Sequence, residues 1–520
     1  MKYAKVKTAT IQGLKIKNID LEVSLLKGIP KFEISGINSR KGQEMFGRVK
    51  AALLNNGYQI PRNIIICHLS EEIQYATDNS IDMALACAIL IADQQIQAET
   101  ALIKNSYILG GLSLSGEITA IKGVFAMLNQ TQSDKNCNWL IPKENQNELI
   151  FETELFFERV YIVENINQVI DILTCKNLIF YKININELKT QKDKEILKFI
   201  PNKLQPLAQF AIEIAIAGWH PTLIVGSPNS DKSLIKNFLR GLLPTLSDDQ
   251  YTEIRSFYSL KGLWQEVLSQ KEIKPFESPD PHLSKQELLG GGRDLLPGIV
   301  TMANQGILFM EDLNLFKTEL IQSLKKPMST HFVQIGAHKN QQLYPANFLL
   351  MATMQPCPCG YYFEEDKRCI CKNNEIINYK KKIINTILNQ FQVEIILKEY
   401  PRAKIGNHIF RDNLKLEEAK KIEERIFVAR SLQASRCQAF NIKTSYNSQI
   451  KSPDLIDLFR LSQKTLNQFE QELKAQFLTN DFYQNLIRVA RTIADLSNKT
   501  DINIEHLQEA FTVRIKPDLY

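Results

Sequence analysis

An apolar run that ends in a glycine, followed by a polar loop, restricts the fold of this chain more than any other feature. Residues 221–226 (PTLIVG) have the composition of a buried strand, and they lead into GSPNSDKS at 226–233. Apolar residues then recur at helical spacing over 234–243. A strand, a short loop and a helix in this order are typical of a phosphate-binding loop. The pattern therefore predicts an α/β domain with a nucleotide site at the carboxyl end of that strand.

The predicted phosphate loop departs from the usual pattern GxxxxGK[ST] at one position that affects charge. The candidate nucleotide-binding residues are Gly226, Ser227, Pro228, Asn229, Ser230, Asp231, Lys232 and Ser233. Asp231 stands where the pattern has its second glycine, which lets the backbone approach the phosphates closely. A unit negative charge about 4 Å from a phosphate costs on the order of 4 kcal/mol at an effective dielectric constant of 20. The alternative is a strand–turn–helix in which the Lys-Ser pair is incidental.

A second apolar run ends in two carboxylates. Residues 306–313 read GILFMEDL, so Glu311 and Asp312 follow a predicted buried strand. In nucleotide hydrolysis the first acid of such a pair orients water on Mg²⁺ and the second polarises the attacking water. An ordinary strand that runs into an acidic turn is the alternative.

Four cysteines form the pattern CxC-x9-CxC, and they are Cys357, Cys359, Cys369 and Cys371. Two tight pairs of thiolates suit tetrahedral Zn²⁺, whereas four free thiols in a loop are the alternative. The chain has nine cysteines without framework spacing and no apolar stretch near the ~20 residues of a membrane span. These features favour a cytoplasmic protein with no membrane partner. A net charge of +6 is too small to diagnose a nucleic-acid partner.

The order of motifs predicts four segments. We expect an α+β domain over 1–172, a linker over 173–205, a P-loop domain over 206–400 that carries the cysteine cluster, and a helical domain over 401–520. Helices are predicted at 41–56, 82–92, 414–438, 452–477 and 481–497, and from 504 onward. The chain is thus expected to be a multidomain α/β protein.

Several further motifs carry a family resemblance across nearly the whole chain. They are Pro281-His282, the glycines at 290–292, Pro297-Gly298, the segment 345–361 (PANFLLMATMQPCPCGY) and 489–496 (VARTIADL). Residues 48–57 (RVKAALLNNG) and 110–123 resemble the leading domain of the same family. Together these segments resemble the ComM/YifB family of magnesium chelatase-like AAA+ proteins. The resemblance implies a Lon-protease-like (ribosomal S5 domain 2-like) first domain, an AAA+ core and a C-terminal helical lid.

The resemblance also implies a function. Members of this family are ATP- and Mg²⁺-dependent hexameric rings that act on branched or single-stranded DNA, with a role in branch migration during natural transformation. The family's cysteine cluster strengthens the expectation of Zn²⁺. Among basic runs, 325–326 and 380–382 either line a DNA channel or form solvated helix faces. The resemblance further implies a sensor residue at Gln355, an arginine-finger position at Gln390 and a sensor 2 arginine at Arg491.

This chain differs from the family pattern at most of those positions. Both internal glycines of the loop are replaced, the two acids of the 306–313 strand are exchanged in order, Gln355 replaces asparagine, and Gln390 replaces arginine. Because an arginine finger alone contributes roughly 10³–10⁵ in turnover, slow or absent ATP hydrolysis is expected. A non-hydrolysing ring or scaffold is therefore an alternative function, and a chelatase-type accessory subunit is a weaker one. Peptidase chemistry is excluded, because Phe125 stands where a Lon-type lysine would accompany Ser80.

Overall fold

In the residues that it describes, the computed structural model has two large β-sheets, three two-stranded sheets and packed helices, followed by a group of helices. The residues that it describes are 2–73, 79–130, 137–149, 159–176, 206–228, 232–243, 246–263, 275–336, 341–364, 368–384, 386–397, 416–451, 455–472 and 480–514. Most of the predicted linker, 177–205, lies outside these ranges. Within them, no helix is long and apolar enough to cross a membrane.

The first sheet has seven strands in the order β3-β4-β2-β1-β5-β8-β9. These strands are β1 (Lys2–Gln12), β2 (Lys15–Leu26), β3 (Lys31–Ile37), β4 (Ile64–Ile73), β5 (Ser106–Ile108), β8 (Asn138–Pro142) and β9 (Val160–Val163). Strands β1, β2 and β4 pair antiparallel, whereas β1, β5, β8 and β9 pair parallel. Alternate residues of β2 are buried, as expected of a sheet with one covered face.

Helices cover this sheet, and the remaining short elements lie among them. They are α1 (Ser39–Asn55), α2 (Asp82–Ala92), α3 (Thr100–Lys104), β6 (Gly111–Leu112), β7 (Ile118–Thr119), α4 (Val124–Gln130), a 3-10 helix (Lys143–Leu149) and α5 (Ile166–Leu173). Nearly every residue of α2 is buried, as its almost entirely apolar sequence predicts. The Arg48 guanidinium of α1 donates to the buried carboxylate of Asp82 on α2.

The second sheet has five parallel strands in the order β11-β14-β17-β10-β18. They are β10 (Thr222–Gly226), β11 (Phe276–Glu277), β14 (Ile307–Met310), β17 (Leu349–Met354) and β18 (Val393–Leu397). Every residue of β10, β14 and β17 is buried. Helices on both faces of a parallel sheet cause this burial, which explains the uninterrupted apolar runs in the sequence.

The elements around the second sheet follow the α/β pattern. They are α6 (Pro206–Gly218), α7 (Lys232–Leu242), α8 (Asp248–Lys261), α9 (Lys285–Leu289), β12 (Gly290–Gly291), β13 (Leu296–Pro297), α10 (Ile299–Met302), 3-10 helices at Leu313–Leu315 and Leu388–Gln390, α11 (Thr318–Ser323), α12 (Lys325–Thr330), β15 (Phe332–Ile335), β16 (Gln342–Pro345) and α13 (Asn373–Ile384). Ser247 begins α8 with a capping box, and Gly262 ends it at a φ of 72°, which glycine adopts at little cost.

The C-terminal helices are α14 (Leu416–Ala439), a 3-10 helix (Asn447–Gln449), α15 (Leu455–Leu458), α16 (Gln463–Glu472), α17 (Asn480–Leu496) and α18 (Ile504–Thr512). The single helix predicted over 452–477 is wrong. Arg460 has a φ of 52°, and Leu461 forms a parallel bridge with Ile502, so the chain leaves helical geometry between α15 and α16. A tertiary contact to a distant segment thus overrides the helical periodicity of the sequence.

A buried carboxylate joins the first sheet's layer to helix α8. Oε2 of Glu148 accepts from the Phe125 backbone N–H at 2.9 Å and from the Ser259 hydroxyl at 2.5 Å. Arg255 of α8 donates to the Glu148 carbonyl at 2.7 Å and lies 4.0 Å from the centroid of the Phe125 ring. Burial raises the pKa of Glu148 to about 7, although its hydrogen-bond donors and Arg255 oppose that shift. Phe125, at the position of a Lon-type lysine, therefore serves packing between these layers.

The raised pKa of Glu148 predicts a pH dependence of stability. The folded protein retains the Glu148 proton up to about pH 7, whereas the unfolded chain releases it near pH 4.5. The unfolded state thus binds fewer protons between these values, so this group's contribution to stability falls as pH rises from about 5 to 8. Each pKa unit corresponds to 1.36 kcal/mol. Between pH 5 and 8 the free energy of unfolding, measured in urea, should therefore fall by about 3 kcal/mol less in Glu148→Gln than in the parent protein. Glu144→Gln on the same 3-10 helix is the control, and equal pH slopes for both variants would contradict the assignment.

Candidate nucleotide and metal sites

The parallel sheet brings three predicted site segments together at the carboxyl ends of its strands, called the carboxyl edge below. Strands β10, β14 and β17 end at Gly226, Met310 and Met354, so Ser227, Glu311 and Gln355 follow at their carboxyl ends. Ligands of open α/β sheets bind at this edge. Asn229, Ser230 and Asp231 lie outside the described residues, as do the side chains of Lys232 and Ser233. Helix α7 begins at Lys232, so the described backbone gives the predicted strand and helix on either side of the loop.

Glu311 forms an ion pair with Lys236, a partner that the sequence motifs do not indicate. The Lys236 ammonium on α7 lies 2.5 Å from Glu311 Oε2 and 5.5 Å from the centroid of the Phe309 ring. Lys236 is one helical turn beyond Lys232, on the helix that follows the phosphate loop. The first carboxylate of the acidic pair is therefore bound to a cation of the protein itself.

Asp312 lies in a backbone conformation that few residues other than glycine adopt. Its φ is 50° and its ψ is 62°, and its backbone N–H donates to the Thr353 hydroxyl at 2.9 Å. Thr353 is a buried residue of β17. The neighbouring strand thus fixes Asp312 in the left-handed region, and such conformations concentrate at functional sites. Its predicted role, polarising water, stays a prediction.

The loop that carries the cysteines packs directly against the phosphate loop. Gly360 has a φ of 84°, and a Cβ there would lie 2.5 Å from Pro228 Cδ and 3.2 Å from Gln355 Oε1. This close approach requires glycine at position 360. The sensor position Gln355, the phosphate loop and the cysteine loop are therefore in contact at this edge of the sheet.

Gln390 lies at the amino ends of the strands of the same sheet, opposite the phosphate loop. It ends the 3-10 helix Leu388–Gln390, just before β18, and the Gln392 backbone N–H donates to the Pro221 carbonyl that precedes β10. At roughly 3.3 Å per residue, the length of β10 separates its amino end from the phosphate loop at its carboxyl end by about 15 Å. Gln390 therefore does not reach the nucleotide site of its own chain, and a finger role requires a neighbouring subunit.

Arg491 also lies away from the phosphate loop. Its neighbour Thr492 bonds at 2.7 Å to Nε2 of His220, which precedes β10 at its amino end. Its guanidinium is fully buried and donates to the Phe459, Lys499 and Thr500 carbonyls and to Asp495, so all three nitrogens are used. In this conformation Arg491 stabilises the helical domain, and its sensor 2 role stays a prediction.

The four predicted cysteines come together in a geometry that fits a metal. Their Sγ atoms lie within 4.8 Å of one another, with separations of 3.4 Å for Cys357–Cys359, 3.5 Å for Cys359–Cys369 and 3.7 Å for Cys357–Cys369. A tetrahedral Zn²⁺ with Zn–S bonds of about 2.3 Å places its sulfurs about 3.8 Å apart. The donor set could therefore hold a soft divalent metal such as Zn²⁺.

Backbone donors favour a thiolate in this cluster. Burial raises the pKa of Cys359, but N–H groups of Tyr361 and Ile370 and the neighbouring thiols outweigh it and lower the pKa to about 6. Burial and the Cys359 and Cys369 thiols raise the pKa of Cys357 instead. Because metals bind the deprotonated form of cysteine, the lowered pKa of Cys359 favours a metal ligand at that position.

Comparisons with known proteins relate three parts of the chain to magnesium chelatase. Three family models match consecutive parts of the chain: subunit ChlI of Mg-chelatase over 21–145, magnesium chelatase subunit ChlI over 201–405, and the ChlI C-terminal region over 416–514. YifB of Escherichia coli is 26% identical over 510 residues, which cover 98% of this chain and 96% of YifB. The chain belongs to the ComM/YifB family of magnesium chelatase-like proteins.

Further ComM/YifB relatives match over nearly their full length. The competence protein ComM of Haemophilus influenzae is 26% identical over 516 residues, which cover 99% of this chain and 98% of that protein. A Mycobacterium tuberculosis relative is 25% identical over 508 residues, with 98% and 97% coverage. The family models and these relatives therefore confirm the predicted family and the multidomain α/β fold class.

Proposed function

We propose that this ComM/YifB family member binds ATP at the carboxyl edge of the second sheet and that the bound nucleotide supports its action on branched DNA, with slow hydrolysis. The observation that carries the proposal is the convergence of β10, β14 and β17 on one edge, with α7 beginning directly after the phosphate loop. This edge has the arrangement of a phosphate-binding site. Lys232 and Ser233 are the residues that would contact the phosphates.

The chemistry of the edge supports binding more than turnover. Glu311 is paired with the Lys236 ammonium, and Gln390 has no guanidinium to stabilise developing charge. Arginine fingers contribute roughly 10³–10⁵ in turnover, so their loss leaves binding possible while hydrolysis becomes slow. A hexameric ring, as the family resemblance implies, would place Gln390 of one subunit near the nucleotide of the next.

The loop of the cysteine cluster offers a surface for DNA. Ile370, between Cys369 and Cys371, is 86% exposed, and Tyr362 is 47% exposed. The Lys380 ammonium lies 4.8 Å from the centroid of the Tyr362 ring but is buried, whereas Arg368 is exposed beside Cys369 and supplies a cation for phosphate. Aromatic rings that stack on bases and cations that pair with phosphates are the usual means of binding single-stranded regions.

Two measurements test the proposed function. Affinity for a four-way junction should rise by about tenfold when ATP is added, and Lys232→Ala should abolish this rise, because it removes the lysine that contacts the phosphates. Junction affinity that is unaffected by ATP would contradict the proposal. Phosphate release with and without the junction separates the alternatives. Near-background rates, equal in the parent and in Lys232→Ala, indicate a non-hydrolysing ring, whereas junction-stimulated release indicates a motor.

A further inference from the structure

A lysine on the helix that follows the phosphate loop pairs with the acid that a metal-dependent nucleotide site uses to orient its divalent cation. Helix α7 begins at Lys232, and Lys236 follows one turn later with its ammonium 2.5 Å from Glu311 Oε2. The side chain of Lys236 is 27% exposed and that of Glu311 is 42% exposed. The ion pair therefore lies at the partly sheltered edge of the sheet, between the helix and the strand that border the nucleotide site.

The residues at this edge do not fit Mg²⁺. In P-loop sites the ion lies between the hydroxyl of the loop and the first acid of the strand, which here are Ser233 and Glu311. Mg²⁺ requires an octahedral set of oxygen ligands at about 2.1 Å. Here the carboxylate that would orient those ligands already binds an ammonium ion, whose positive charge cancels the attraction of that carboxylate for a second cation.

Packing holds the ammonium in this position. Lys236 lies 5.5 Å from the centroid of the Phe309 ring, and Phe309 is a fully buried residue of β14 that faces α7. Ile235, Phe238 and Leu239 of α7 are buried in the same core. The helix face is therefore fixed against the sheet, and the cation–π contact supports the ion pair.

We propose that the Lys236 ammonium takes the place of Mg²⁺ at this site, so that the chain binds nucleoside triphosphate without a divalent cation. This inference rests on the proposed nucleotide binding. A lysine supplies one positive charge and three N–H donors in place of a divalent ion and its ordered waters. Bound nucleotide would then act as a stable ligand and not as a substrate for rapid turnover.

Calorimetric titration of the full chain with ATP, in excess MgCl₂ and in excess EDTA, tests the proposal. We expect the two dissociation constants of the parent protein to agree within about twofold. Lys236→Gln keeps a polar side chain, shorter by one atom, and removes its charge, and it should weaken binding in EDTA by about tenfold or more relative to MgCl₂. Lys236→Arg, which keeps the charge, should behave like the parent.

The matched control is Arg240→Gln, one turn further along α7, which removes a positive charge that lies over the Phe276 ring and does not contact Glu311. It should bind equally in both buffers. Should Lys236→Gln fail to fold, Lys236→Ala provides the same comparison. Parent binding that requires MgCl₂, or EDTA-resistant binding by the uncharged variants, overturns this inference and leaves the proposed nucleotide binding intact. Absence of binding in both buffers overturns both.

Discussion

A variant that combines Asp231→Gly, Gln390→Arg and Lys236→Ala is expected to hydrolyse ATP about 10³-fold faster than the parent protein. Each substitution removes a separate obstacle. Glycine at 231 eliminates a charge that costs on the order of 4 kcal/mol beside a phosphate. Arginine at 390 restores a group that contributes roughly 10³–10⁵ in turnover. Alanine at 236 releases Glu311 for the metal. Phosphate release in excess Mg²⁺ with a four-way junction measures the gain.

Partial variants show which obstacle limits turnover. With Asp231→Gly and Gln390→Arg alone, Lys236 still holds Glu311, so we expect a gain of no more than about tenfold. Adding Lys232→Ala to the triple variant should return the rate to background, because the phosphate contact is lost. A triple variant that is no faster than the parent would show that the other departures, at Glu311-Asp312 and Gln355, determine the rate.

Loss of the metal from the cysteine cluster is the second large expected effect. Cys357→Ser with Cys369→Ser removes two of four ligands, and we expect bound zinc to fall from about one equivalent to near zero. ATP affinity should fall by about tenfold as well, because Gly360 of this loop packs against Pro228 of the phosphate loop. Elemental analysis and calorimetric titration measure the two effects.

An exposed cysteine outside the cluster provides the control for this experiment. Cys175→Ser alters the same chemical group at a residue that is not among the four ligands, and it should leave both zinc content and ATP affinity unchanged. Less than about half an equivalent of zinc in the parent protein, with its cysteines reduced, would contradict the metal assignment. Zinc loss without a change in ATP affinity would show that the loop holds its position without the ion.

The sequence predicted those features that depend on neighbouring residues. The strand β10, the start of helix α7, the buried helix α2 and the CxC pairs follow from local periodicity, burial and spacing, which act within a few residues. The family resemblance then related these segments to one another. In the same way, the strand β14 and its two acids were predicted from an apolar run alone.

The tertiary structure determined what depends on distant residues. Lys236 and Glu311 are 75 positions apart, and only the order of β10, β17 and β14 in the sheet brings the helix and the strand end together. The parallel pairing of β18 with β10 places Gln390 at the amino ends of these strands, opposite the phosphate loop, and the contact between Leu461 and Ile502 interrupts a helix that periodicity predicted. A local window contains none of these pairings, because strand order and packing arise from contacts between segments. Sequence therefore determined which groups of the candidate site are present, and tertiary structure determined which of them meet.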